Sequence, residues 1–130
     1  MHSMLDASIL SAVLRISRTS MTQEALEAAI VHPVERYESA GEDGLAYAQV
    51  ALPIQQDLWR ELLRWLETVG PKLIELQKDG LAQGACIDIA VPFPDGQASR
   101  SVTVPSNVAA LIGNLGVDIE LTFYAVTNDK

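Results

Sequence analysis

Between Gln55 and Val69 the apolar and polar residues of this chain separate cleanly around a helical axis. At about 100° per residue, Leu58, Leu62, Trp65, Leu66 and Val69 fall together, with Trp59 and Leu63 widening the arc. Arg60, Glu61, Arg64 and Glu67 take the opposite arc. A helix with one broad apolar stripe has to cover an apolar surface, and alternating segments elsewhere supply a sheet. From Val117 to Tyr124, Val117, Ile119, Leu121 and Phe123 alternate with Asp118, Glu120, Thr122 and Tyr124, the clearest strand pattern here. From Cys86 to Phe93, Ile87, Ile89 and Val91 alternate with Asp88 and Ala90.

The remaining segments follow the same rules. Leu10, Ala12, Leu14 and Ile16 alternate with Ser11, Val13 and Arg15 as a first strand. Ser20 with Gln23 fits a capping box, opening a short helix on Leu26, Ala29 and Ile30 that ends near Val31, just before Pro33. The polar, acidic stretch from Val34 to Gly44 reads as a loop, and Leu45 to Leu52 as a second strand. Gly70-Pro71 predicts a break in the long helix, because both residues disfavour helix interiors. A shorter helix from Pro71 to Lys78, capped by Gly80, would follow; one kinked helix would pack almost identically. The turn cluster Pro92, Pro94 and Asp95-Gly96 predicts a hairpin returning through Ser101 to Val104. Ser106 then caps a small helix with Val108, Leu111, Ile112 and Leu115 on one face, closed by Gly113 or Gly116.

These elements specify an α+β two-layer sandwich: a mostly antiparallel five-stranded sheet with helices on one face and a split β-α-β, ferredoxin-like character. At 130 residues the chain is expected to form a single domain, with residues 1–8 as a disordered tail. No apolar run approaches the ~20 residues of a membrane-spanning helix, and no secretory signal opens the chain. A cytoplasmic location is the expectation.

Formal net charge is −8, which argues against nucleic acid, since phosphate binding needs a basic patch. It suits a basic protein partner instead. The residues expected to meet that partner are Asp88, Asp118 and Glu120 on the open sheet face, and Glu38, Glu42 and Asp43 in the acidic loop. Residues two apart on a strand share a face, so Asp118 and Glu120 belong together. They read as a solvated surface, because no calcium-loop pattern accompanies them. Cys86 is the one cysteine, so disulfides and multi-thiolate metal sites are ruled out within the chain. Its neighbours supply no base: His2 lies in the tail and His32 in a loop. No nucleophile elbow or phosphate loop is present. The chain therefore reads as a non-enzymatic interaction domain without cofactor or metal. The alternative is a small-molecule sensor or enzyme with a pocket between helices and sheet near Tyr47 and Trp59. A third reading pairs the open face, with Val13, Val50 and Tyr124, against a second copy as a homodimer.

The opening strand Val13-Leu14-Arg15-Ile16, the helix end Ile30-Val31-His32-Pro33, and the leucine-rich Leu62-Leu63 and Leu73-Ile74-Glu75-Leu76 form an ordered series. Pro105-Ser106-Asn107-Val108-Ala109-Ala110-Leu111 and Leu115-Gly116-Val117-Asp118-Ile119-Glu120 continue it to Phe123-Tyr124. From about Ala12 to Tyr124 the pattern resembles the bacterial family called domain of unknown function 4279. A tryptophan is expected in its second strand, where this chain carries Tyr47. The resemblance implies a cytoplasmic α+β domain of uncharacterised role and brings no catalytic residues with it. By analogy with small acidic bacterial domains, it implies an antitoxin or immunity-type role.

Overall fold

A computed structural model describes residues 10–39 and 43–126. Its elements are β1 (Ser11–Thr19), α1 (Gln23–Ile30), β2 (Arg36–Glu38), β3 (Ala46–Ala51), α2 (Leu58–Lys78), β4 (Ala82–Pro94), α3 (Ser106–Asn114) and β5 (Asp118–Val126). The fold is α+β, and the five strands run in the order β2-β3-β1-β4-β5. Pairings β1–β3, β1–β4 and β2–β3 are antiparallel, whereas β4–β5 is parallel. The sheet is thus mixed. In place of a split β-α-β arrangement, β4 and β5 are direct neighbours joined through α3.

The core forms where alternation and helical stripes meet. Ala12, Leu14 and Ile16 of β1, Ala46, Ala48 and Val50 of β3, and Ile87, Ile89 and Val91 of β4 are all buried. All of these but Ala46 share one core cluster with Leu26 and Ile30 of α1, Leu62, Leu66, Val69, Leu73 and Leu76 of α2, and Val108 and Ile112 of α3. Helices therefore cover a single face. Ile119 and Leu121 pack against the core from β5, while Asp118 and Glu120 are exposed on the other face. Val50 belongs to the core side, because it shares the parity of Ala48; the open-face role expected for it does not hold.

One strand is exchanged relative to the expected five. Ser101 to Val104 forms no strand, so there is no hairpin: Val102 and Val104 rest half-buried against the core without pairing. The fifth strand is instead β2, inside the stretch read as an acidic loop. A three-residue edge strand buries little, so it leaves little hydrophobic pattern; its anchor is Tyr37, whose hydroxyl donates to the Met21 carbonyl at 2.7 Å.

Local signals also shift. Thr22, not Ser20, caps α1, its hydroxyl accepting from the Ala25 N–H at 3.1 Å. Ser106 is the first residue of α3 instead of its cap, and Pro105 precedes it without a side-chain bond. Helix α2 starts at Leu58 because Asp57 caps it, while the Glu61 carboxylate reaches back to the N–H groups of Gln55, Gln56 and Asp57. Gly80, at φ +74°, ends it in a Schellman turn, with Leu81 N–H bonded to the Leu76 carbonyl.

The expected break at Gly70-Pro71 is absent: α2 is one helix of 21 residues through both. Pro71 deletes one backbone hydrogen bond and costs about 3 kcal/mol, but its side is exposed and the turn beyond it buries Leu73 and Leu76. Burying each such side chain contributes roughly 1.5–3 kcal/mol, enough to outweigh the defect. Gly70 has a packing role. A Cβ there would lie 2.8 Å from both Leu115 methyl carbons, so glycine lets the end of α3 press onto α2.

A sign reversal checks this contact. Gly70→Ala should destabilise by about 1 kcal/mol when Leu115 is present, because overpacking exceeds the helix-propensity gain. In a Leu115→Ala background the same change should stabilise by about 1 kcal/mol. Chemical denaturation of the parent and the three variants reads both signs.

Candidate functional site

The best-formed concavity lies between the end of α1 and the flank of α2. It is a groove of about 570 Å³ lined by Ile30, Val31, His32, Pro53, Ile54, Glu61, Arg64, Trp65, Thr68, Val69 and Lys72. That volume falls within the range of small-molecule sites. The six α2 residues recur every three or four positions, which puts them on one stripe beside the core-facing one. Because α2 does not break, Lys72 and Arg64 belong to the same stripe.

Helix α1 supplies the opposite wall. Its final residue turn leaves Val31 in the left-handed region, φ +55° and ψ +49°. A β-branched side chain seldom adopts that conformation, and Val31 is 75% exposed besides. The turn is held by its surroundings. Val31 and His32 donate N–H groups to the Glu27 carbonyl, and the Glu27 carboxylate accepts the Val34 N–H at 2.7 Å. His32 is fixed edge-on to Trp65, with ring centroids 5.9 Å apart and planes at 87°, and its Nδ1 lies 3.0 Å from the Pro33 carbonyl oxygen.

Charge distinguishes this groove. Arg15, Arg18, Arg36 and Arg60 all make ion pairs with carboxylates. Arg64 and Lys72 have no carboxylate within 4.0 Å among the described residues. The nearby Glu61 carboxylate is committed to three backbone N–H groups, which hold its carboxyl below the ordinary value of 4.5. An apolar floor with two uncommitted cations suits a molecule that is apolar at one end and anionic at the other.

The acidic residues assemble differently from expectation. Asp88 faces Glu120 and Cys86 faces Asp118 across β4 and β5, so the open face does bring them together. Asp88 is only 5% exposed, however; Arg15 reaches it at 2.6 Å and Glu120 at 3.2 Å, and the Thr122 hydroxyl donates to it at 2.8 Å. Glu38 pairs with Arg36, and Asp43 pairs with Arg18 at 3.1 Å. Glu42 lies outside the described residues. Cys86 sits half-buried beside these acids. Burial, then the charges of Glu120, Asp118 and Asp88, push its thiol above the usual range, the reverse of what a nucleophile needs. Among the described residues, no group of three His, Cys, Asp or Glu could hold a metal ion.

Tyr47 and Trp59 do not share a pocket. Tyr47 stands on the open face, its hydroxyl 3.1 Å from Gln49 Oε1, near Ser17, Arg18, Glu38 and Asp43. Trp59 lines a separate hollow with Leu10, Ile54 and residues 55–58 at the start of α2. The groove residues escaped the sequence reading for a definite reason. Trp65 falls on the apolar arc and reads as core, and a break at Gly70 assigns Lys72 to another helix. The i, i+3, i+4 stripe from Glu61 through Lys72 is the signal that would have found them.

Compared with models of protein families, with curated proteins and with solved structures, the chain matches none. No helix among the described residues is long and apolar enough to cross a membrane.

Two expectations test the groove's construction. Relieving the left-handed strain by Val31→Gly should raise stability by about 1 kcal/mol, measured by urea unfolding; a loss would mean that the valine side chain outweighs the strain. Glu61 has a lowered carboxyl in the folded state, so its contribution is full above pH 4.5 and fades as pH falls through the folded value. Thermal unfolding of Glu61→Gln should therefore lie below the parent at neutral pH and converge with it on acidification.

Proposed function

We propose that this chain is a non-catalytic binding domain for a small amphipathic organic anion, a carboxylate on an apolar body, taken into the groove between α1 and α2. The observation that carries this reading is the pairing of an apolar floor, Ile30, Ile54, Trp65 and Val69, with the uncommitted cations Arg64 and Lys72. In a chain of net charge −8, two cations side by side in one groove with no carboxylate within 4.0 Å among the described residues favour an anionic visitor at this place. From the exposed rim of the groove, Arg64 can grip a carboxylate through two parallel hydrogen bonds, and Lys72 adds a point charge. Trp65, steadied by His32, offers a flat face to the apolar body. The pocket of a small-molecule sensor is then this groove, away from Tyr47 and Trp59.

An immunity-type role toward a basic protein, as the resemblance to domain of unknown function 4279 implies, draws less support. Arg15 already neutralises much of the Asp88 and Glu120 charge, and Arg36 and Arg18 pair with Glu38 and Asp43, which leaves Asp118 as the expected contact without an ion pair among the described residues.

Decanoate and decylamine separate the possibilities, since they share a tail and differ in charge. Trp65 emission followed in a Trp59→Phe variant should respond to decanoate. At 100 times its dissociation constant, decanoate should stabilise the fold by about 2.7 kcal/mol. Arg64→Glu combined with Lys72→Glu should weaken decanoate at least roughly tenfold, a loss of about 1.4 kcal/mol. Equal response to decylamine, or decanoate binding indifferent to those substitutions, would contradict the proposal.

A further inference from the structure

The two edges of the sheet are treated unequally. At one edge β2 is three residues long and shows Arg36 and Glu38 on its outer face, which is how natural edges are kept from pairing. At the other, β5 runs for nine residues, about 30 Å. It contains no lysine, proline or bulge, and its register with β4 is unbroken from Asp118 to Val126. No described strand pairs with its outer side. Phe123 and Tyr124 are 47% and 45% exposed there, around a hollow shared with Phe93 and Ala125.

The order of residues along β5 selects what fits. Its first half carries Asp118 and Glu120, its second half Phe123, Tyr124, Ala125 and Val126. A second copy stacked parallel and in register would set Asp118 beside Asp118 and Glu120 beside Glu120, and like charges directly opposite are destabilising. Antiparallel pairing about a two-fold axis at Thr122 removes that conflict. Asp118 then faces Val126, Glu120 faces Tyr124, Ile119 faces Ala125 and Leu121 faces Phe123, each pair occurring twice. Every pair joins residues of the same parity, so core-side residues meet core-side residues. The helices of both copies stay on one side of a continuous sheet made of two five-stranded halves. Such an isologous contact closes on itself and leaves β5 with no free edge.

We infer that β5 is a self-association edge, occupied by β5 of a second copy in this antiparallel register. Reversed against itself, β5 sets each of its acids beside an uncharged residue and places Leu121 against Phe123 on the core side.

Sedimentation equilibrium of the full chain tests the register. The parent should show a reversible monomer–dimer equilibrium. Tyr124→Glu sets two like-charged pairs against Glu120 and should weaken the dimer roughly tenfold, with the far-ultraviolet circular dichroism unchanged because position 124 is exposed. Adding Glu120→Lys to that variant should restore association, because the introduced lysine faces the introduced glutamate across the axis. A parent that stays monomeric at millimolar concentration overturns the inference, even if it binds strands of other proteins. So does a dimer indifferent to Tyr124→Glu, or one that the double change fails to restore.

Discussion

The passage of α2 through Gly70-Pro71 governs the arrangement of everything around it. A helix stopped at Val69 would cover half the sheet and leave Leu73 and Leu76 to a second element with its own orientation. Because the 21-residue helix is continuous, one rigid rod carries two adjacent stripes. One stripe, with Leu62, Leu66, Val69, Leu73 and Leu76, is buried against the sheet. The next, from Glu61 to Lys72, forms the wall of the groove. Proline's missing hydrogen bond is tolerated because it falls on the exposed side, and glycine's missing side chain is used: it admits Leu115 from the end of α3.

That geometry explains how an acidic chain comes to present a cationic groove. Ion pairing among the described residues consumes Arg15, Arg18, Arg36 and Arg60 close to where they emerge, three of them on the sheet. Arg64 and Lys72 share the groove-lining stripe of α2 with one acid, Glu61, which is turned back onto the helix N-terminus. A carboxylate that bonds three N–H groups at the positive end of a helix is already satisfied. Local helix chemistry thereby leaves the neighbouring cations without a carboxylate partner among the described residues. On the opposite wall, the left-handed Val31 turns the chain sharply enough to bring His32 edge-on to Trp65.

Most of the core was legible from periodicity. The alternation of Leu10–Ile16, Leu45–Leu52, Cys86–Phe93 and Val117–Tyr124 and the stripe of α2 specify which side chains meet, and the one-sided covering of the sheet follows from them. What periodicity does not carry is pairing. Ser101–Val104 has the apolar spacing of a strand but is used as half-buried coil, while Arg36–Glu38 has almost none and still pairs at an edge, anchored through Tyr37. Propensity misleads at Gly70-Pro71 because tertiary packing with Leu115 overrides it. The groove was illegible because its residues belong to two elements and to two categories at once: Trp65 looks like core, and Arg64 like an ordinary solvated face. Similarly, Asp88 looks like a surface acid, although Arg15 and Thr122 from both neighbouring strands enclose it.

Backbone continuity of α2 is the claim on which both the packing and the groove depend, and amide hydrogen exchange under native conditions addresses it residue by residue. If the helix is unbroken, the amides of Leu73, Ile74, Glu75 and Leu76 open together with those of Leu62, Leu63 and Leu66, with one shared free energy of opening. Exchange beyond Pro71 that is orders of magnitude faster than before Gly70 would show two independent helical pieces and contradict the account.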